Sequence, residues 1–171
     1  MPVSEELRRK REELVIEHME TENRHEYEAT IDTFEHPRYE LVGTGDVYDG
    51  REEVARYFED TRTAFPDQRN ELIALHHADD AVVVEANLLG THDGPLRGLP
   101  PTGRKFEMRF VAVFVFEEDR LVCERVYFDS NTILRQLGIA RDPVSLGGRI
   151  ATALNHPLTV GRAVARQLLR R

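Results

Sequence analysis

Two long β-type runs, residues 105–116 and 120–129, stand back to back across Glu118-Asp119 and restrict this chain more than any other feature. Runs of that length, rich in Val and Phe and parted by turn residues, form an antiparallel pair. They sit inside an ordered stretch from Gly90 to Gly138. It opens with Gly90-Thr91-His92-Asp93-Gly94 and continues through Gly98-Leu99-Pro100-Pro101-Thr102-Gly103-Arg104. It closes with Asp129-Ser130-Asn131-Thr132-Ile133-Leu134-Arg135-Gln136-Leu137-Gly138, a short helix that Asp129 or Ser130 can cap and Gly138 can end. Two more β-rich runs, residues 71–75 and 81–89, precede it and meet at Asp79-Asp80.

Upstream the period changes. Leu7, Leu14, Val15 and Met19 fall on one face of a charged helix with Ser4 as its cap. Tyr27, Ile31 and Phe34 recur at i, i+4 and i+7, which predicts a short second helix ending before His36-Pro37. Residues 38–42 then form a short strand and residues 43–50 a loop. A third helix carries Val54, Tyr57, Phe58, Thr61 and Phe65 on one side and stops at Pro66. Helices first and an antiparallel meander afterwards make an α+β pattern. A curved sheet wrapped over the amino-terminal helices leaves an open end suited to a small molecule.

At 171 residues the chain suits one main domain with a real core. Its net charge of −8 is unevenly spread: five arginines and no acid follow Asp142, which leaves −13 for residues 1–142. Such an acidic body argues against a nucleic-acid partner, because phosphate neutralisation needs clustered Lys and Arg. The amino-terminal Ser4–Arg11 segment is charged rather than an apolar signal region. The longest apolar run, residues 110–116, is far shorter than the ~20 residues of a membrane span. With a single cysteine, Cys123, the expectation is a soluble cytoplasmic protein with a buried, inert thiol.

Residues 1–140 and 141–171 read as separate pieces. Pro143, Gly147-Gly148 and His156-Pro157 divide the second into two short helical parts. In the last part Arg162, Arg166 and Arg170 share one stripe, with Val164 and Leu168 opposite. Such a tail docks on the body or on a partner subunit, lies on an anionic membrane, or stays disordered.

The Gly-x-His-x-Gly turn, the Pro-Pro-Thr-Gly-Arg loop, the strand pair and the Leu134-Arg135-Gln136-Leu137-Gly138 helix together resemble the SnoaL-like polyketide (ester) cyclases of the nuclear transport factor two-like superfamily. The resemblance spans roughly residues 10–140 and implies a cone-shaped α+β barrel, pairing as a homodimer across its convex face. It also implies cofactor-free acid–base chemistry on a hydrophobic polyketide- or terpenoid-like molecule, with no metal. In that chemistry a carboxylate removes a proton beside a carbonyl and hydrogen-bond donors hold the enolate. The positions where those cyclases carry their acid–base groups are Leu41, Phe110, Ala112 and Val126 here, with the His36-Pro37-Arg38-Tyr39 match placing Leu41. Four apolar side chains in those places point to a non-catalytic, hydrophobic ligand-binding protein as the alternative.

Counting along the last strand puts Val122, Glu124, Val126 and Phe128 on one side and Cys123, Arg125, Tyr127 and Asp129 on the other. With the first set inward, Glu124 is the surviving ionisable group among Val122, Val126, Phe110 and Phe114. It is the candidate acid–base group; the alternatives are an ion pair with a neighbouring Arg or outward exposure. His92 matches the family's turn histidine, either as a helper at the pocket rim or as a residue that orders its loop. Tyr48, Tyr57 and Phe114 are candidates for the pocket wall. Glu85 and Asn87 share a strand face and suit either a pocket or an interface, and Arg104 is positioned to tie its loop to an acid. His76-His77 beside Asp79-Asp80 invites a metal, but adjacent strand residues point to opposite faces and cannot easily hold one ion. Gly43-Thr44-Gly45 lacks the rest of a phosphate-binding loop, and no Gly-x-Ser-x-Gly elbow occurs.

Overall fold

A computed structural model describes residues 3–169. Ser4 accepts the Leu7 amide at 3.2 Å and starts α1 (Glu5–Asn23), whose first turn places Glu5 and Glu6 at the positive helix end. The helix buries Arg11, Val15, His18 and Met19 on one face. Arg11 is tolerated there because Nε donates to the Glu118 carbonyl at 2.7 Å and Nη1 to the Asp79 carbonyl at 2.9 Å. It thereby fastens α1 to two strand turns. A short α2 (Tyr27–Asp32) follows, then β1 (Arg38–Leu41).

The segment expected to be a loop, residues 43–50, instead contains a strand, β2 (Asp46–Asp49), which pairs antiparallel with β1 from Leu41↔Asp46 to Arg38↔Asp49. Gly45, at φ +80°, makes the reversal, and Thr44 donates to Asp46 at 2.7 Å across it. Four residues bracketed by two aspartates carry too little alternation to read as a strand. Gly50 then leads into α3 (Arg51–Ala64), which buries Val54, Phe58 and Ala64.

The remaining strands are β3 (Arg69–His77), β4 (Ala81–Thr91), β5 (Lys105–Glu117) and β6 (Arg120–Phe128). They join a curved, unclosed sheet in the order β2-β1-β6-β5-β4-β3, antiparallel throughout except where β1 lies parallel to β6. Strand β5 alternates strictly, so Phe106, Met108, Phe110, Ala112, Phe114 and Phe116 form one buried row. The helices α1, α2 and α3 cover that row together with Val15, Ile31, Phe34 and Phe58.

The register of β5 on β6 shifts between Val115↔Cys123 and Phe116↔Leu121, an extra residue on β6. Leu121, and not Val122 as the simple count expects, therefore enters the core beyond Glu124; Leu121 is 1% exposed.

Asp129 accepts the Asn131 amide at 3.0 Å and caps α4 (Ser130–Gln136), which ends at Gly138 with φ +75°. Leu137 closes a second apolar cluster with Ala64, Phe65 and Phe106, which seats α4 at the open end of the sheet. Beyond it come α5 (Leu146–Asn155) and α6 (Pro157–Leu168), neither of which adds a side chain to either apolar cluster. Leu146, Leu154 and Leu158 are each 75% exposed. Arg162 and Arg166 are one helical turn apart on α6, and Arg170 lies outside the described residues. Deleting residues 141–171 is therefore expected to move the melting temperature by less than ~2 °C, checked by calorimetry; a drop of ~8 °C or more would mean that the tail is part of the fold. Among the described residues no helix is long and apolar enough to cross a membrane.

Candidate functional site

The buried stripe of α1 does not stay apolar. Val15, His18, Met19 and Glu22 follow the i, i+3, i+4, i+7 spacing of a core face, so a histidine and a glutamate are carried beneath the sheet. His18 is fully enclosed. Its Nδ1 lies 2.7 Å from Thr33 Oγ1, and the Thr33 hydroxyl is spent on the Thr30 carbonyl at 2.6 Å. This network assigns the Nδ1 proton to His18, donated to Thr33. Phe34 and Phe114 each pack in a T-shape with the ring, centroids 5.3 Å apart.

On the other side, His18 Nε2 is 2.7 Å from the Tyr39 hydroxyl oxygen and 3.2 Å from Glu124 Oε2. Tyr39 and Glu124 are neighbours because β1 runs parallel to β6 with these two residues in register. In the neutral ring Nε2 accepts the Tyr39 proton; in the imidazolium it donates. The approach to Glu124 has ion-pair distance without hydrogen-bond alignment, so the buried Glu124 Oε2 has no hydrogen-bond partner.

Glu22 enters the same space from the last turn of α1. Asn70, at the start of β3, donates to Glu22 Oε2 at 3.0 Å, and Asn23 and Asn70 lock the two elements by exchanging side-chain and backbone bonds at 2.7 and 2.9 Å. Burial, with the Glu124 carboxylate adding to it, pushes the Glu22 carboxyl up to about 7, against the lowering influence of His18, Arg62 and Asn70. Burial and these same carboxylates also hold the Tyr39 and Tyr57 hydroxyls above their ordinary range, so both stay protonated.

These groups line one end of a cavity of ≈ 80 Å³ that opens at one side. Glu22, Tyr39, Tyr57, Gln68, Asn70 and Glu124 supply its polar end, while Leu41, Leu88, Met108, Phe110, Val126 and Phe128 make its apolar wall. Ile133 of α4 stands at the same cavity.

Of the residues singled out in the sequence, Glu124, Leu41, Tyr57, Phe110 and Val126 meet in this cavity. Tyr48, Ala112 and Phe114 do not line it. Tyr48 stacks behind Tyr57 at 4.8 Å, Ala112 is 1% exposed in the core and Phe114 packs on His18. The inward row of β5 thus serves the pocket at Met108 and Phe110 and becomes core farther along, where α1 closes over it.

His92 stands apart from the cavity. Its ring is buried 5.6 Å from Phe65, Nδ1 accepts the Thr102 amide at 3.3 Å, and its backbone pairs with Arg104 and Gly103 at 2.9 Å each. It braces the Gly94–Gly103 loop, which the Asp93 and Gly94 amides pin to the Ala64 carbonyl at 3.1 and 3.2 Å. Gly94 lies so close to the Thr63 carbonyl that a side chain there is excluded.

Arg104 packs over Gly138 and, among the described residues, forms no ion pair. His76 and His77 turn to different carboxylates, Glu85 at 3.4 Å and Glu12 at 3.1 Å, as opposite strand faces require. Asn87 donates to Glu107 at 3.3 Å outside the pocket. Burial pushes the Cys123 thiol up to about 11, away from thiolate chemistry.

The polar residues that sequence reasoning missed are His18, Glu22, Tyr39, Gln68 and Asn70. For the first two a signal existed: His18 lies within the Val15–Met19 stripe and Glu22 continues it one turn onward.

An open, curved α+β sheet over amino-terminal helices holds a pocket with an apolar wall and two carboxyl groups among its polar lining. A family model for the SnoaL-like polyketide cyclases matches residues 13–137, and the chain belongs to that family. No curated protein matches the chain significantly. Among solved structures it is similar to IdmH from Streptomyces antibioticus, a proposed polyketide cyclase, with 26% identity over 75% of this chain and 98% of that one and a TM-score of 0.64. AclR from Streptomyces galilaeus, a proposed hydroxylase, shares 20% identity over 77% and 97% of the two chains, at a TM-score of 0.66. A Catenulispora acidiphila protein with a ketosteroid isomerase-like fold, solved with trimethylamine, matches at 18% identity over 74% and 93%, with a TM-score of 0.63. The last two bear on the fold alone.

Proposed function

We propose that the chain is a cofactor-independent acid–base enzyme of the cyclase or isomerase type, acting on a small hydrophobic carbonyl compound of polyketide or terpenoid kind. The observation that carries this reading is the convergence of two carboxyl groups, Glu22 and Glu124, at the polar end of one apolar pocket. A carboxylate so placed removes a proton from the carbon beside a carbonyl, and neutral hydroxyls hold the resulting enolate oxygen. Glu22, held at about 7, suits both removal and return of the proton at neutral pH. Tyr39 and Tyr57 suit the donor role. When His18 Nε2 carries a proton and donates it to Tyr39, the Tyr39 proton is free for the ligand, and Glu124 balances the imidazolium charge.

Leu41, Phe110 and Val126 stand where the family resemblance expects acid–base groups, and here they supply apolar wall. That replacement favours a second reading, a binding protein that keeps the pocket without chemistry. The two part on conversion. Wild type, Glu124→Gln and Glu22→Gln are incubated with polyketide esters and with terpenoid and steroid ketones, and products are followed by chromatography with mass detection. The expected result is turnover by wild type and a loss of about 10²–10³-fold in Glu124→Gln. Undiminished turnover in both variants would remove the carboxyl pair from the mechanism. Ligand recovered unchanged from wild type would favour the binding protein.

A further inference from the structure

All 31 acids of the chain lie at or before Asp142, whereas residues 143–171 carry five arginines and no acid. The two helices of this tail sort their side chains alike. In α5, Leu146, Ile150, Ala153 and Leu154 share a face, Thr152 and Asn155 lie opposite, and Arg149 stands at the boundary. In α6, Val160, Val164 and Leu168 share a face and Arg162 and Arg166 lie opposite. Gly148, on the far side of α5 from Ile150, is buried so close to the Asp142 carbonyl that a side chain is excluded. That contact turns the apolar face of α5 outward, and Leu146, Ile150, Leu154, Val164 and Leu168 are all exposed. Nor is the charge answered within the chain. Among the described residues no ion pair involves Arg149, Arg162 or Arg166, and the last pair along the sequence is Arg135–Asp142 at 3.5 Å.

We infer that residues 143–171 are a reversible anchor to an anionic lipid bilayer, with α5 and α6 lying in the plane of its surface. Their apolar faces enter the acyl boundary and their arginines stay among the headgroups, Arg149 reaching back from its boundary position. Helices of 10 and 12 residues are marginal in water unless an apolar face packs on something, so a surface outside the chain completes them. Both are too short to cross a bilayer, which needs ~20 residues, so they lie on it. A bilayer offers negative charge and apolar depth together along the whole length of both helices. Nucleic acid answers the arginines but leaves the apolar half of each helix in water. The acidic body, −13 over residues 1–142, is repelled by the same lipid and remains in water, tethered by the tail. This inference is independent of the chemistry assigned to the pocket.

The test is flotation of the full chain with vesicles of phosphatidylcholine alone and of phosphatidylcholine carrying about 30% phosphatidylserine. The chain is expected to float with the anionic vesicles and to bind the neutral ones at least about tenfold more weakly, since each arginine near such a surface is worth about fivefold. Leu154→Gln/Leu168→Gln keeps every charge and should lose at least about tenfold in affinity for the anionic vesicles. Arg162→Gln/Arg166→Gln keeps every apolar side chain of the two faces and should lose a similar factor. The chain without residues 141–171 should not float. Far-ultraviolet circular dichroism of the full chain should gain helical signal when anionic vesicles are added. Both paired variants should melt within ~2 °C of wild type, which keeps lost binding distinct from lost folding.

Failure of the full chain to float with anionic vesicles, or equal binding to neutral ones, overturns the inference. So does flotation that persists without residues 141–171. Binding that survives Leu154→Gln/Leu168→Gln reduces the contact to charge attraction and overturns it as well. Capture by duplex DNA in place of vesicles would make the tail a nucleic-acid arm. A tail-dependent rise in mass by light scattering, without vesicle binding, would make a second copy of the chain the occupant. Either of these also overturns the lipid anchor.

Discussion

Phe114→Ala is expected to destabilise the protein by about 4 kcal/mol, the largest effect of any substitution considered. The ring is 1% exposed, sits in the middle of the inward row of β5, and packs in a T-shape with the His18 ring, centroids 5.3 Å apart. Truncation loses the transfer energy of the ring and leaves a cavity between β5 and α1 that the surrounding Val15, Phe34 and Leu121 cannot fill without moving. It also removes one wall of the His18 seat, so the Tyr39–His18–Glu124 grouping should loosen with the core. Urea unfolding should show a lower midpoint with an unchanged slope. Phe114→Leu keeps most of the volume and is expected to cost about 1 kcal/mol, with ligand binding preserved. A cost below ~1 kcal/mol for the alanine variant would contradict the packing described.

The second large effect is a dependence of stability on pH that belongs to Glu22. Unfolded, this carboxyl titrates near 4.5; folded, it titrates at about 7, chiefly because it is buried and also because Glu124 lies close. Between those values the folded protein holds a proton that the unfolded chain has lost. The contribution is fully present below pH 4.5, declines as pH rises, and is gone once pH passes 7. The loss amounts to on the order of 3 kcal/mol. Glu22→Gln carries no charge at any pH and can still accept the Asn70 bond through its amide oxygen. Its stability should therefore be nearly level from pH 5 to pH 8, and at pH 8 it should exceed wild type. Urea midpoints for both proteins at several pH values decide this, and taking their difference removes other titrating groups. Parallel profiles would show that Glu22 is not the group concerned. Near pH 7 the same ionisation supplies the base of the proposed chemistry, so turnover should rise through that region while stability declines.

Much of the fold was legible along the chain. The Ser4 cap, the α3 stripe from Val54 to Phe65, the strict alternation of β5 and the Asp129–Gly138 helix are local signals, each decided by the spacing of apolar side chains and by residues suited to caps and turns. Alternation put Glu124, Val126 and Phe128 on one face, the family resemblance pointed that face inward, and all three line the cavity. It failed at Val122, because the extra residue in β6 is set by pairing with β5 and leaves no mark of its own. β2 was missed for a related reason: a four-residue strand between aspartates exists through its partner β1.

The site divides along that line. Periodicity determined that α1 has a buried face and that Glu124 shares a face of β6 with Val126 and Phe128. Only the tertiary structure decided that these faces oppose each other, with His18 and Glu22 at the end of α1 brought against Glu124, Tyr39 and Asn70. It also turned His92 away into a loop brace, since the Asp93 and Gly94 amides pin that turn to the end of α3. The physical reason is range. Caps, turns and amphipathic stripes are set by neighbours a few residues away, whereas the meeting of two carboxyl groups, and the proton that desolvation makes one of them keep, depends on which distant elements share a cavity.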